Sequence, residues 1–291
     1  MVIKIKRKDY IYGMKPYGWI KGSVLTFLGL LLTRWGIGNG RVTFNIYFGL
    51  PVYFLIASST LLVSLILKID NKERVQQAIK KLKISSGILF SLGFGTSIYY
   101  TIFLNLELLN LFILALIGAI LILSTFFGID WKYKSFLANI LVSFAISVGI
   151  IYGAALNTTM IKILVYVFFG TVFLLQFSKD LINEGKNEEK YKTAGADSLA
   201  PTLGVRKTQK ISFTLDIIVI IMTLLSIVLN STLIHSVLLY TFSIVITVIF
   251  IGLAATLTFL MKAEKTYYRL VKNFLKIGMF FMFTTIFLAS F

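Results

Sequence analysis

The chain has 291 residues, of which 57% are hydrophobic and 14% are charged, and it contains no cysteine. A water-soluble domain of this length needs more polar surface, so the composition predicts that most of the chain faces lipid. The lack of cysteine excludes disulfides, thiolate metal sites and a cysteine nucleophile. The net charge of +17 is compatible with nucleic-acid binding, but no basic-aromatic module of the kind that binds nucleic acid is present.

Apolar runs long enough to cross a bilayer follow one another along the whole chain. The predicted spans are 17–34, 44–68, 84–104, 109–128, 136–156, 160–178, 211–230, 236–260 and 272–290. This pattern predicts an all-α polytopic membrane protein with nine transmembrane helices in a single domain, residues 1–291. Asp216 is the one acid inside the seventh span, where an interfacial and structural position is expected.

The basic residues predict which way the spans are oriented. All but three of the 29 Lys and Arg lie on one side of the predicted spans, the exceptions being Arg34, Arg41 and Lys162. The positive-inside rule therefore places the N-terminus in the cytoplasm and the C-terminus outside. The same bias explains the net charge as topology and attraction to anionic lipid, and predicts no nucleic-acid partner.

Two long polar loops, 68–83 and 179–210, fall on the predicted cytoplasmic side, where chemistry on a polar substrate is expected. Within the first loop, residues 70–83 (DNKERVQQAIKKLK) have the pattern of an amphipathic helix with Val75, Ile79 and Leu82 on one face. Either a surface helix on anionic headgroups or a substrate lid fits this pattern.

The second polar segment begins where the sixth span ends, with Asp180 and Glu184. Their i, i+4 spacing puts both carboxylates on one face of a helix. Both lie near the C-terminal end of that helix, where the macrodipole disfavours negative charge. Acids kept in such a position predict metal or phosphate binding, or alternatively a solvated helix end paired with neighbouring lysines.

Three stretches occur in order along the chain: GMKPYGWIKGSVLTFLGLLL near the start, FFGIDWKYKSFLANILVSFAISVGIIYGAA in the middle, and FSKDLINEGK followed by AGADSLAPTLGVRK. Together with the nine-span layout and its two cytoplasmic loops, they resemble the UbiA superfamily of intramembrane prenyltransferases. The resemblance implies a helical bundle around a central cavity. In that family two aspartate-rich motifs face each other across the cavity and hold Mg²⁺ and an isoprenyl diphosphate.

The resemblance also implies which residues form the site. The implied catalytic and metal-ligating residues are Asp70, Asp180 and Glu184. The implied substrate-binding residues are Arg74, Asn139, Gln176, Lys179 and Asn183. Asn139 lies inside a predicted span, where its amide either lines the cavity or bonds a neighbouring helix.

The first aspartate-rich motif departs from the family pattern. When N-D-x-x-D-x-x-x-D is laid over STLLVSLILKID, only Asp70 keeps an acid, and Val63 and Ile66 stand where aspartates are expected. In the second motif, Lys186 replaces a further aspartate, and Asp197 replaces a phosphate-binding lysine. These departures put two-metal catalysis in question.

The leading interpretation is a UbiA-like prenyltransferase that uses Mg²⁺ to move an isoprenyl chain from its diphosphate to a lipophilic acceptor, an aromatic ring or a glycerol-phosphate lipid. One alternative is a catalytically degenerate member that binds isoprenoid or lipid phosphate, or supports a membrane partner. A transporter or channel is a third, disfavoured by the lack of paired broken helices and mid-membrane charges. The expected location is the plasma membrane of a microbe, with the site facing the cytoplasm.

Overall fold

The computed structural model describes residues 16–34, 39–67, 76–103, 135–158, 160–189, 199–230, 237–260 and 265–290. Within these ranges all regular secondary structure is helical. The helices are α1 (Pro16–Leu32), α2 (Asn39–Leu67), α3 (Gln76–Phe103), α4 (Ser135–Ala155), α5 (Ile163–Lys186), α6 (Leu199–Leu203), α7 (Val205–Leu229), α8 (Val237–Leu260) and α9 (Lys265–Leu288). The prediction of an all-α fold is confirmed for this part of the chain.

Several helices begin or end outside the predicted spans, and α3 and α5 extend furthest beyond them. α3 begins at Gln76 and runs without interruption into the apolar segment, so the second half of the predicted 68–83 loop is helical. Neither Gly nor Pro interrupts it before Gly87, and Leu82 is buried while Lys80, Lys81 and Lys83 are exposed, as the amphipathic pattern predicts. α5 continues to Lys186, eight residues past the predicted end of its span.

Four of the described helices are long and apolar enough to cross a membrane: α5, α7, α8 and residues Tyr267–Leu288 of α9. The predicted span 109–128 lies outside the described residues. The count of nine transmembrane helices and the cytoplasmic N-terminus therefore stay predictions. Exposed side chains of α7 and α8 are mainly Ile, Leu, Val and Phe, which is the surface expected of helices that contact lipid.

The chain forms two compact units, residues 1–131 with 148–161 and residues 132–147 with 162–291. Helix α4 runs continuously through the boundary, so its first part belongs to the second unit and its last part to the first. Each unit has its own packing and its own buried polar contacts.

In the first unit, glycines allow α1 and the last part of α4 to cross closely. A Cβ on Gly153 would meet the backbone oxygen of Thr26, and a Cβ on Gly29 would meet the backbone oxygen of Ile150. Gly149 and Gly153 are four residues apart, the small-xxx-small spacing that lets membrane helices approach each other. The crossing therefore depends on the absence of side chains at these positions.

Side-chain amides close one end of this crossing. The Nδ2 of Asn45 donates to the backbone oxygen of Leu156 (2.9 Å) and to Oδ1 of Asn157 (2.8 Å). The Nδ2 of Asn157 donates in turn to the backbone oxygen of Leu30 (2.8 Å). These bonds satisfy carbonyls that the ends of α1 and α4 leave without helical partners.

A second polar contact in this unit joins α2 and α3. The hydroxyls of Ser59 on α2 and Ser86 on α3 each donate to the other residue's backbone oxygen.

In the second unit, α5 packs against α7 and α9, and α8 packs against α7 and α9. The apolar core between these helices is built from large aliphatic side chains, with Leu175, Val219, Ile251 and Leu275 all fully buried. A larger share of α5 is buried than of the other three candidate spans. α5 is therefore an inner helix of this unit, and its polar C-terminal turns are held from several sides.

Candidate active site

The C-terminal half of α5, from Gln176 to Lys186, carries most of the predicted site. This stretch stays helical because no glycine or proline occurs until Gly185. The backbone N–H of Asn187 closes the helix onto the carbonyls of Glu184 and Gly185, and its side chain donates to the backbone oxygen of Asn183 (2.8 Å). The predicted site residues of the second polar loop thus stand on the last turns of a membrane-spanning helix.

One hydrogen-bonded chain joins Lys179, Gln176 and Asp180. The Nζ of Lys179 donates to Oε1 of Gln176, and the Nε2 of Gln176 donates to Oδ2 of Asp180 at 2.9 Å. An ammonium group can only donate hydrogen bonds, so the end of the Gln176 amide that faces Lys179 must be its oxygen. Lys179 is only 8% exposed and Asp180 is half-buried. Gln176 therefore orients one carboxylate oxygen of Asp180 and leaves the other available to a ligand.

A second contact brings α4 to the same helix. The Nδ2 of Asn139 donates to Oε1 of Glu184 at 2.5 Å, and Glu184 is 1% exposed. A short bond from an amide to a carboxylate is a charge-assisted one, stronger than a bond between neutral groups. The sequence left open whether Asn139 lines a cavity or bonds a neighbouring helix; the structure shows the second, with a predicted site residue as the partner.

Gly185, next to Glu184, is needed for the approach of α9. A Cβ at this position would lie 3.0 Å from the Tyr268 hydroxyl oxygen, a contact tighter than side chains normally make. The Tyr268 hydroxyl also accepts a hydrogen bond from Nε2 of Gln209 on α7 (3.5 Å). A small cavity lies here, lined by Ile182, Gln209, Thr258 and Tyr268 among others. The ends of α5, α7 and α9 therefore meet at the acidic end of α5.

Sequence reasoning missed a buried polar cluster between α5 and α7. Ser212 lies 2.8 Å from Ser178 through their hydroxyl oxygens, and the Ser178 hydroxyl donates to Oδ1 of Asp216 at 2.6 Å. Asp216 is 0% exposed and lies midway along α7, which agrees with the structural position that was expected, while its place at the membrane interface stays a prediction. The available signal was a lone acid within an apolar span, which requires a polar partner on a neighbouring helix.

Two predicted site residues, Asp70 and Arg74, lie outside the described residues. The backbone of α2 is described at Val63 and Ile66, but their side chains are not. The structure thus brings Gln176, Lys179 and Asp180 into one network and Asn139 and Glu184 into another; Asn183 is half-buried on the same turns.

The residues of α5 fit a magnesium ion in part. In the ranges that the structure describes, no group of three or more Asp, Glu, His or Cys side chains is placed to hold a metal. Mg²⁺, however, usually takes only one or two protein carboxylates and completes its shell with water and substrate phosphates. Asp180 and Glu184 are two carboxylates of this kind, and the amides of Gln176 and Asn139 turn their N–H groups toward them.

Comparison with known proteins identifies the class to which this helical membrane protein belongs. A sequence model of the UbiA prenyltransferase family matches residues 71–284, most of the chain. The chain belongs to the UbiA prenyltransferase family. The match includes α5 and the helices packed around it.

A solved structure from work on digeranylgeranylglyceryl phosphate synthase in membranes has the same fold. It superimposes with a TM-score of 0.74 over 97% of this chain and 98% of that chain, at 18% sequence identity. At this identity the likeness concerns the fold. No curated protein sequence matches the chain.

Proposed function

We propose that the protein is a membrane prenyltransferase that transfers an isoprenyl chain from its diphosphate to a lipophilic acceptor. The observation that carries the proposal is the pair Asp180 and Glu184. They stand one turn apart on the last turns of an inner membrane-spanning helix, each held by the amide of another side chain. Membership of the UbiA prenyltransferase family supports the reaction class.

Each side chain has a role in binding and orienting the donor. Asp180 and Glu184 would hold Mg²⁺, which would neutralise the diphosphate and make it a better leaving group. Gln176 and Asn139 orient the two carboxylates, in the way that neighbouring residues usually fix metal ligands. Lys179 and Asn183 contact phosphate oxygens. The C–O bond of the allylic diphosphate breaks, diphosphate leaves, and the acceptor forms the new bond to the isoprenyl carbon while losing a proton.

The family resemblance assigns two further roles, a metal ligand to Asp70 and a phosphate ligand to Arg74. In this proposal residues 1–291 form a single transmembrane domain, and segments 68–83 and 179–210 bring the site to the cytoplasmic face of the plasma membrane. Both aromatic and glycerol-phosphate lipids are candidate acceptors. The fold shared with a protein named as a glyceryl phosphate synthase supports testing the second class first.

A second candidate is a family member that binds isoprenoid or lipid phosphate without transferring it, or that supports a membrane partner. The observation that favours it is the sequence at Val63 and Ile66, because apolar side chains replace two expected metal ligands. Binding of the donor would then persist without release of diphosphate.

The test supplies labelled farnesyl or geranylgeranyl diphosphate, Mg²⁺ and a panel of acceptors that includes geranylgeranylglyceryl phosphate. We expect diphosphate release by the wild type, and a fall of about 100-fold in kcat/KM for Asp180→Asn and Glu184→Gln, the size typical of losing a charge-stabilising group. Glu189→Gln is the matched control, since Glu189 is exposed beyond the end of α5, and it should stay near wild type.

The outcomes separate the two candidates. Donor binding that the Asp180→Asn variant weakens, without diphosphate release from any acceptor, favours the non-transferring protein. Transfer at the wild-type rate by both α5 variants would exclude Asp180 and Glu184 from the chemistry and overturn the proposed site.

A further inference from the structure

One face of α9 carries basic and polar side chains into the membrane-spanning part of the helix. Arg269, Asn273 and Lys276 are all exposed, and Phe280 continues the same face at 65% exposure. Their spacing of four, three and four residues places them in a row along the helix. We call Arg269, Asn273 and Lys276 the basic stripe.

The stripe crosses the predicted boundary between the cytoplasmic surface and the membrane interior. In the predicted span 272–290, the α-helical rise places Lys276 about 6 Å inside that boundary and Arg269 about 4.5 Å outside it. An exposed charge inside the boundary is costly unless it reaches polar groups. Lysine and arginine side chains reach back toward the helix N-terminus, so both cations point toward the same membrane surface.

The opposite face of α9 is used for packing. Tyr268, Val271, Leu275 and Met279 lie on that face, and all are buried in the core of the second unit. The 24 residues of α9 include no Asp or Glu. The exposed side of the stripe therefore faces the membrane, where phospholipid headgroups supply anions.

We propose that the basic stripe binds the phosphate of an anionic membrane phospholipid. The Arg269 guanidinium holds two phosphate oxygens, Lys276 supplies a second positive charge from below, and the Asn273 amide donates between them. The acyl chains lie along Phe280 and the apolar remainder of α9. A second copy of the chain is a poorer occupant, because two such stripes facing each other would repel. This lipid site is separate from the proposed transfer of an isoprenyl chain and does not depend on it.

The test uses the full chain purified in a mild detergent and native mass spectrometry to count retained lipid. Phosphatidylglycerol and phosphatidylcholine with the same acyl chains are supplied in competition. Because each basic residue near an anionic lipid changes its affinity by roughly fivefold, we expect the wild type to prefer phosphatidylglycerol by about tenfold or more. Arg269→Gln combined with Lys276→Gln should remove that preference, and Lys276→Arg should keep it.

Arg206→Gln combined with Lys210→Gln is the matched control. It removes the same two residue types from exposed positions in the first two turns of α7, without disturbing the stripe. The logarithm of its preference for phosphatidylglycerol over phosphatidylcholine should be at least half of the wild-type value. Equal retention of the two lipids by the wild type, or an unchanged preference in the double variant of α9, would overturn the proposal.

Two further arms distinguish other occupants. Displacement of the retained phosphatidylglycerol by micromolar farnesyl diphosphate, lost in the α9 variant, would assign the stripe to a soluble diphosphate instead. A dimer in the wild type that the α9 variant dissociates would assign it to a second copy. Either result overturns the lipid assignment.

Discussion

Asp216 shows how a single charged residue is accommodated inside a membrane-spanning helix. Its carboxyl group is fully buried, Oδ1 accepts from Ser178, and Oδ2 has no hydrogen-bond partner among the described residues. Ser178 stands next to Lys179 in the sequence and two residues after Gln176. The bond between α5 and α7 therefore fixes the helix that carries Asp180 and Glu184.

We predict that Asp216→Ala destabilises the protein, because it removes the carboxylate acceptor of the Ser178 hydroxyl and leaves only the contact with Ser212 in this link between α5 and α7. The expected loss is about 1 kcal/mol, the order found for hydrogen bonds between membrane helices. Asp216→Asn should lose less, since its amide oxygen still accepts from Ser178. Thermal unfolding in detergent measures both variants.

Thr214→Ala is the control for this prediction. Thr214 is exposed on the same helix and its hydroxyl bonds only the backbone oxygen of Lys210 within the turn (3.0 Å). Its removal should leave the unfolding temperature within experimental scatter of wild type. An Asp216→Ala variant as stable as Thr214→Ala would show that the buried cluster contributes nothing.

Residue by residue, the sequence predicted the helical placement of the two acids better than it predicted their contacts. The i, i+4 pair Asp180 and Glu184 is on one helix as predicted, because spacing along a helix is a local property. The partners of these acids are set by tertiary packing. That Asn139 would meet Glu184 was not predictable, since the two residues are 45 positions apart and belong to different helices.

At the scale of elements, helix ends were less predictable than helix positions. Hydropathy marks where a segment turns polar, and it placed the end of the sixth span at 178. The helix itself ends at Lys186, where Asn187 caps it. The polar turns between residue 178 and Lys186 carry the candidate site, so it lies on the part of the helix beyond the predicted apolar span.

The crossing of α1 and α4 gives a prediction about helix packing. Gly153→Ala should destabilise the protein by about 1–3 kcal/mol, because its Cβ would press on the backbone of Thr26 and force the helices apart. Gly87→Ala is the control in the same unit, where a Cβ meets nothing within 4 Å. Alanine there should be neutral or slightly stabilising, since it favours the helix.

Thermal unfolding and the yield of folded protein compare the two alanine variants. Equal stability of Gly153→Ala and Gly87→Ala would mean that the close crossing is not required. A loss in both would indicate that the effect comes from glycine replacement in general.

At the scale of the whole molecule, the predicted topology can be tested directly because the chain has no cysteine. Lys207, in the first turn of α7, and Leu238, in the first turn of α8, lie at opposite ends of a hairpin and are both exposed. With the N-terminus in the cytoplasm, Leu238→Cys should react with a membrane-impermeant maleimide in intact spheroplasts. Lys207→Cys should react only after permeabilisation.

The wild-type chain, which cannot react, is the background for both labelling experiments. The reverse pattern would invert the predicted topology and place the candidate site on the outer face. Labelling of both positions in intact spheroplasts would show that α7 does not cross the membrane.

Composition and hydropathy were sufficient for the helical membrane fold class, whereas the family followed from the resemblance of three sequence stretches and the order of the spans. Membrane helices show themselves through long apolar runs. Composition and hydropathy were not sufficient to predict interior contacts, such as the hydrogen bond between the side-chain amides of Asn45 and Asn157. A polar residue in an apolar segment indicates that it needs a buried hydrogen-bond partner, but the sequence does not identify that partner.

The bond between Ser178 and Asp216 also bears on how the protein is made. Ser178 precedes Asp216 by 38 residues, so α5 has left the ribosome before α7 is complete. Insertion of an isolated helix with a central acidic residue into the bilayer costs free energy. We expect that the Ser178 hydroxyl of an α5 already in the membrane lowers that cost, so that the integration of α7 depends on α5.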